Sequence, residues 1–503
     1  MPQLQLLVNI VKRKTKKLVM QLFEILLVLT SMLYLILSQL INLQISKKIS
    51  LGVLVLLLFC HLLFEGYRWQ MVPCYLACIL ALYVAIKNSD KKSTTLKKII
   101  AGIGITVLAV LGISLPSIFP VFELPEPQGP YSVGTKDINL KLNRKEIITE
   151  DKLDNRKLMI KVWYPSSETS GEMDSYIDQG GRHGFAQKYG LPNSTFNYLD
   201  KIQTHVFRNV SVATERFPVL LFSHGYNSKA NNYYALISEI VSQGYVVFAV
   251  NHTFESTGTT FPDGSEVYFD YNYAKKIEEG TWKDMEPLLS AFKEDLSFEE
   301  RHPIVKKRLK TYFVKGMVER WAQDLSDVVS KLGSWNASGF LENRLDLSKI
   351  GVFGHSRGGA AAGETLLKDN RISAGANIDG VQWGDIVDTS FKNPFLFISA
   401  DWPEDKEDLN AHAYVNKYKS TFYEARILGT DHSNFMDIPF MIPLKSLSQA
   451  GDIKPELGIE ITSKLVTSFF DKHLKNKSIN LESLGSNYDE LILKAYKAET
   501  AKR

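Results

Sequence analysis

The stretch Ile350-Gly351-Val352-Phe353-Gly354-His355-Ser356-Arg357-Gly358-Gly359 decides the fold. Its first four residues read as a short buried strand, and Ala360–Leu367 beyond it reads as a helix. Between them lies G-x-S-x-G, a pattern whose chemistry explains its spacing. The serine must stand at the tip of a tight, strained turn, and a glycine two residues to either side lets neighbouring backbone pass without a clash. The following helix turns its N-terminal N–H groups towards developing negative charge. Ser356 is therefore the candidate nucleophile.

Outward from this point, strands and helices alternate. Leu158–Tyr164, Pro218–Phe222, Tyr245–Val250, Ile372–Ile378, Phe395–Ser399 and Phe422–Leu428 read as strands, and Tyr233–Val241, Met317–Leu332 and Ile459–Leu474 as helices. Near-continuous apolar strands separated by helices predict a mostly parallel sheet covered on both faces, and the G-x-S-x-G turn within that pattern makes an α/β-hydrolase the expected fold. Some 65 residues rich in Lys, Glu, Tyr and Phe separate the strand at Tyr245 from the helix at Met317. That is too long for an ordinary connection, so residues 253–316 are expected to form an insertion with helices of its own, either a lid or surface decoration.

A serine hydroxyl is a poor nucleophile at neutral pH and needs a base. Of ten histidines, three follow Ser356 in the chain: His412, His432 and His473. His432 stands in Gly429-Thr430-Asp431-His432-Ser433-Asn434-Phe435, the loop after the last strand, where this chain order requires the base. His412 and His473 fall on expected helices and read as solvated surface residues. The acid that orients the imidazole should lie between serine and histidine. Asp379, at the end of one strand and before Gly380, competes with Asp401, at the end of the next with Asp405 nearby. Oxyanion donors are expected from the N–H of Arg357 and from the loop Ser223-His224-Gly225-Tyr226-Asn227-Ser228, where Tyr226 is the candidate. His224 and His355 read as structural, holding these two loops by hydrogen bonds.

The segment Val219–Ser228, the run Gly244–His252, the Gly-His-Ser-Arg-Gly-Gly element, the Asn377-Ile378-Asp379-Gly380 step and the Asp431–Phe435 loop together resemble the platelet-activating factor acetylhydrolase family of α/β-hydrolases. The resemblance covers about residues 125–475 and implies an acid on the strand directly after the nucleophile helix. Asp379 follows Ser356 by 23 residues and His432 follows it by 76, which fits that order and favours Asp379 over Asp401. The same resemblance supports Tyr226 and Arg357 as oxyanion donors. It implies hydrolysis of short or phospholipid acyl esters without a cofactor, and no H-E-x-x-H type metal spacing occurs. Two departures stand out: a bulky, charged arginine after the nucleophile, and the long insertion. A general lipase or carboxylesterase, a peptidase or thioesterase of the same fold, and a non-catalytic membrane sensor are the competing readings.

The first 122 residues differ from the rest. Four apolar stretches, about 26–45, 51–64, 71–86 and 99–119, predict a helical transmembrane region of some four spans. Residues 123–150 read as a linker, stiffened by Pro125, Pro127 and Pro130, and the entry to a catalytic domain at 151–503. Lys47, Lys48 and the lysines from Lys87 to Lys98 would lie on the cytoplasmic side, which puts the catalytic domain outside a multi-pass cell-membrane anchor. The basic tail Lys12–Lys17 argues the other way. A net charge of +4 is too small to indicate a nucleic-acid partner, and the basic clusters flank apolar segments, where anionic lipid head groups fit. Cys60, Cys74 and Cys78 all lie in the apolar region, so the C-terminal portion cannot form a disulfide.

Overall fold

The computed structural model describes residues 20–40, 47–87, 94–279, 281–294, 296–402 and 409–498. The basic tail at 12–17, Lys91, Lys92 and Asp405 lie outside the described residues. The chain divides into two compact units. The first comprises Met1–Phe122 with the short segments Asn197–Ile202 and Phe440–Leu447; the second comprises Glu123–Phe196, Gln203–Pro439 and Ser448–Arg503.

The first unit holds the helices Leu22–Leu40, Lys47–Cys60, Val72–Ile86 and Thr95–Ile118. A π turn at His61–Glu65 and a 3-10 turn at Trp69–Met71 extend the middle two. Each then offers 18 residues long and apolar enough to cross a membrane, as do the outer two helices. Small residues let Val72–Ile86 pack at the centre, where Cys74, Ala77, Cys78 and Ala81 are fully buried. Leu29, Leu33 and Ile36 on the first helix, and Ile99, Ile103 and Val110 on the last, are exposed. Buried charge is paired: Arg68 Nε and Nη2 donate to the two oxygens of Glu24 at 2.5 and 2.6 Å. Glu65 accepts the Phe23 and Glu24 N–H groups at 2.7 and 3.0 Å, which caps the first helix.

The second unit is a mixed α/β fold around a ten-stranded sheet. In chain order the strands are β1 (Ser132–Lys145), β2 (Asn155–Ser166), β3 (Val206–Arg208), β4 (Phe217–Ser223), β5 (Val246–Asn251), β6 (Gly258–Thr260), β7 (Glu266–Tyr268), β8 (Leu345–His355), β9 (Ala374–Ile378), β10 (Phe395–Ser399), β11 (Phe422–Ile427) and β12 (Leu491–Tyr496). β6 and β7 form a separate hairpin, and the large sheet runs β12-β11-β10-β9-β8-β4-β5-β2-β1-β3. Its six central strands, β11 to β5, are mutually parallel, while β12 and β2 pair antiparallel to this block.

The central strands β4, β5, β9 and β10 are buried at every residue, as expected of strands covered on both faces. The helix Val314–Ala337 buries Met317, Val318, Trp321, Leu325, Val328 and Leu332, one stripe at helical spacing. Three differences from the sequence reading follow. β1 occupies half of the stretch 123–150 read as linker and domain entry, and polar residues on its wetter face hide it from a reading by apolar runs. The chain continues past the closing helix, Pro455–His473, to add β12. The insertion holds helices as expected, Tyr271–Glu278, Thr281–Lys293 and Phe298–Thr311, and differs only in adding the β6–β7 hairpin.

Candidate active site

The register of the sheet brings the chemistry to one edge. Ser223 at the end of β4 is opposite Gly354 on β8, and Gly354 and His355 are opposite Asn377 and Ile378 on β9. Ser356 therefore stands where three parallel strands end together, at the start of the helix Arg357–Lys368. Its backbone sits at φ 59° and ψ −129°, a conformation that costs about 1–3 kcal/mol in a non-glycine residue. Bonds from Ser356 N to Ile378 O at 2.9 Å and from Gly359 N to Ser356 O at 2.9 Å hold it there. The glycines of the motif are needed for contact. A Cβ on Gly354 would stand 2.3 Å from Gly358 O, and one on Gly358 would stand 2.2 Å from Ser223 O. Gly358→Ala must therefore push β4 and its loop away. It is expected to cost about 1–3 kcal/mol and to lower activity, measurable by thermal melting beside turnover.

Asp379 and His432 are brought together. Asp379 Oδ2 lies 2.6 Å from His432 Nδ1, and its Oδ1 accepts the Ala400 N–H at 2.8 Å and the Trp402 indole N–H at 3.2 Å. The Asp379 side chain is buried, whereas that of His432 is 44% exposed, so one face of the imidazole remains open. Asp401 is used elsewhere: it accepts the Gly429 N–H at 2.9 Å and lies 3.9 Å from Arg426. The Ser356 hydroxyl makes no hydrogen bond among the described residues.

The backbone N–H groups of Tyr226 and Arg357 likewise have no partner among the described residues. Their side chains pack on each other, with the Arg357 guanidinium 3.8 Å from the Tyr226 ring centroid. Arg357 Nη1 also reaches Met317 Sδ at 3.4 Å. The bulky arginine after Ser356 is thus accommodated by stacking on an aromatic ring. Beside Tyr226 opens a cavity of about 540 Å³, lined also by Phe269, Tyr271, Lys275 and Glu278 from the insertion. A cavity of about 500 Å³ elsewhere in the unit is lined by the pairs Lys161–Asp174 and Lys229–Asp178 and contains none of these site residues.

His224 and His355 hold the loops. Tyr233 Oη accepts the Gly225 N–H at 3.0 Å and lies 2.9 Å from His355 Nδ1, to which it donates its own proton. His355 Nε2 then carries a proton and donates to the His432 carbonyl at 3.1 Å. The loop at Gly225 and the loop at His432 are joined through Tyr233 and His355, and the sequence places Tyr233 only on a helix. Trp402 was also missed, since its link to Asp379 crosses between strand ends. His412 is not solvated: it is fully buried, stacked on Phe298 at 4.6 Å, and burial pushes its imidazole down to about 4. His473 is half-buried, and burial lowers it to about 4 as well.

Burial also pushes His224, His252 and His355 below the ordinary imidazole value of 6.5. The unfolded chain takes up protons on these groups below about pH 6.5 while the fold does not. Their contribution is therefore complete above that pH and is lost as pH falls, by about 1.4 kcal/mol per histidine per unit. Asp437, pushed up to about 7 by burial, and Glu364, also raised by burial, work in the opposite sense. The melting temperature is expected to fall between pH 7 and pH 5. A flat or rising profile across that range would refute the assignment of neutral buried imidazoles.

A serine held in a strained turn between a central strand and a helix, on a largely parallel sheet, is the arrangement of an α/β-hydrolase. The family model for platelet-activating factor acetylhydrolase, isoform II, matches residues 117–491, and the chain belongs to that family. Membership makes it an ester-hydrolysing enzyme. Among its relatives, the platelet-activating factor acetylhydrolase of Cavia porcellus is 24% identical over 73% of this chain and 80% of its own. That of Gallus gallus is 26% identical over 71% and 85%. A probable 1-alkyl-2-acetylglycerophosphocholine esterase of Arthroderma benhamiae is 24% identical over 77% and 98%. A ferulic acid esterase from Streptomyces cinnamoneus shares the fold, with a TM-score of 0.55 at 23% identity over 74% of this chain and 99% of that one.

Proposed function

We propose that this chain is a membrane-anchored serine esterase that cleaves short-chain or phospholipid acyl esters through Ser356, His432 and Asp379. The observation that carries the reading is the strained Ser356 at the strand–helix junction, flanked by two unspent N–H donors, with the Asp379–His432 pair at the adjoining strand ends. His432 Nε2 takes the proton of Ser356 as Oγ attacks the ester carbonyl. The N–H groups of Tyr226 and Arg357 receive the oxyanion, and His432 returns the proton to the leaving alcohol. Water then repeats the cycle on the acyl-enzyme. Asp379 holds His432 with its proton on Nδ1 and stabilises the imidazolium.

The acyl-ester substrate is supported by the relatives named for glycerophosphocholine ester cleavage. The anchor is supported by four helices long and apolar enough to span a bilayer. Anchoring keeps the enzyme near phospholipid esters, and the lysines Lys47, Lys48 and those from Lys87 to Lys98 support an outward-facing catalytic domain. The test is labelling of the detergent-solubilised full chain with a fluorophosphonate, mapping of the adduct, and turnover of p-nitrophenyl acetate, butyrate and octanoate. An adduct on Ser356 with a preference for short chains is expected. Labelling elsewhere refutes the mechanism, and a preference for octanoate moves the assignment to a general lipase.

A further inference from the structure

Beneath the oxyanion loop lies a second serine–histidine–aspartate array. Ser223 Oγ is 2.8 Å from His252 Nε2, and His252 Nδ1 is 2.8 Å from Asp324 Oδ2. All three side chains are fully buried, so no substrate reaches this serine and the array is not another active site. Its position suggests a different use, because Ser223 directly precedes His224-Gly225-Tyr226.

The partners fix where the protons are. Arg156 donates to both oxygens of Asp324, from Nη2 at 2.7 Å and Nε at 3.2 Å. Burial alone would raise the Asp324 carboxyl, but Arg156 and His252 hold it well below its usual range, so it is ionised. His252 is kept neutral by burial, with Nδ1–H donating to Asp324 and Nε2 accepting from Ser223. Its ring lies flat on Trp321 at 4.1 Å, which removes its remaining freedom. The His252 backbone N–H donates to His224 Nε2 at 3.2 Å. With that lone pair occupied, a neutral His224 carries its proton on Nδ1 and donates it to the Gly225 carbonyl at 2.7 Å.

The Gly225 carbonyl accepts a second bond from Ser228 N at 3.1 Å. In a trans peptide the carbonyl and the next N–H point in opposite directions. Holding Gly225 O on the His224 side therefore turns the Tyr226 N–H away from it. Gly225 itself lies against the nucleophile, since a Cβ built on it would stand 3.2 Å from Ser356 Cβ. We propose that His224 and His252, anchored by Asp324 and Arg156, are positioning residues that lock the Gly225–Tyr226 peptide in the orientation that makes Tyr226 N–H an oxyanion donor. The proposal rests on the serine mechanism proposed above.

A matched pair of variants tests it in the full chain. His224→Asn keeps an amide N–H near the Nδ1 position, where it can still hold Gly225 O. His224→Gln moves the amide to the Nε2 end and leaves Gly225 O without that donor. His224→Gln is expected to lower kcat by about 10²-fold, the usual consequence of losing one oxyanion donor, with KM within about threefold. His224→Asn is expected to stay within about tenfold of wild type. A trifluoromethyl ketone, which forms a hemiketal with the catalytic serine, should bind more weakly to His224→Gln by a factor that follows the loss in kcat/KM. Asp324→Asn, which weakens the anchor one step further away, should show the same pattern at about tenfold.

Equal losses in the Asn and Gln variants, or losses that follow the melting temperature and leave ketone binding unchanged, would overturn the positioning role. If one variant fails to fold, Asp324→Asn with the ketone decides by the same criteria. Ser356→Ala is assayed in parallel to separate the two readings. If it abolishes turnover and His224→Gln does not impair it, only the positioning proposal falls. If Ser356→Ala remains active, the serine mechanism fails, and the positioning proposal fails with it.

Discussion

Ser356→Ala is expected to lower kcat by on the order of 10⁵ to 10⁶ while leaving the fold intact. The size follows from what the side chain does in the proposed cycle. Without Oγ no acyl-enzyme forms, and His432 can only activate water for direct attack. The two N–H donors and the binding surface survive, and sites of this type keep a residual advantage of about 10³ to 10⁴ over water on that basis. The fold is spared because the Ser356 hydroxyl has no hydrogen bond among the described residues and the strained backbone is held by main-chain bonds alone. Alanine inherits the same φ of 59° and the same bonds. The stability change should stay within about 0.5 kcal/mol, as for a substitution that removes no packing or pairing. Turnover of p-nitrophenyl acetate and a thermal melt on the same preparation measure both halves. A variant that keeps a tenth of wild-type turnover would sink the nucleophile assignment. A variant that loses activity together with several degrees of melting temperature would leave the mechanism unproven by this substitution.

How far the sequence discloses the site depends on whether the information is local. Ser356 is legible because the elbow is built from contiguous residues, and the clash distances at Gly354 and Gly358 show why the spacing is fixed. The central strands are equally legible, since burial on both faces leaves a continuous apolar run. β1 and β12 are not, because β1 carries many polar residues and β12 is a short, half-exposed edge strand, so each gains its identity only from a partner strand. Residue by residue, Asp379 and Asp401 look alike, each at the end of a parallel strand. What separates them is tertiary: Asp379, at φ 50° and bonded from its N–H to Ile398 O at 2.6 Å, meets His432, whereas Asp401 caps the turn at Gly429. Chain order within a resembling family favours Asp379, and spacing alone does not. The buried array of Ser223, His252 and Asp324 is invisible for the same reason, since 72 residues separate the histidine from the aspartate.

The two carboxylate oxygens of Asp379 have unequal duties, and this makes Asp379→Asn the sharpest probe of the base. Oδ1 receives two donors, Ala400 N–H and the Trp402 indole, while Oδ2 receives one, from His432 Nδ1. An asparagine has one acceptor oxygen and one NH₂ group. Its oxygen must take the Oδ1 position, because an NH₂ there would oppose two N–H donors. The NH₂ is then forced towards His432 and donates to Nδ1, which drives the imidazole proton to Nε2. That tautomer cannot accept the Ser356 proton. The backbone, the volume and the bonds to Ala400 and Trp402 all survive, so the melting temperature should move by only a few degrees. In proteins with this triad the same change lowers kcat by about 10⁴, and a loss of that order is expected here with KM within a fewfold of wild type. Asp401→Asn, by contrast, should retain turnover within about threefold, since Asp401 bonds Gly429 N–H and a side-chain amide oxygen can replace it there. Measuring kcat for the two asparagine variants side by side separates the candidates: comparable losses would remove Asp379 from the triad, and the reverse order would install Asp401 in its place.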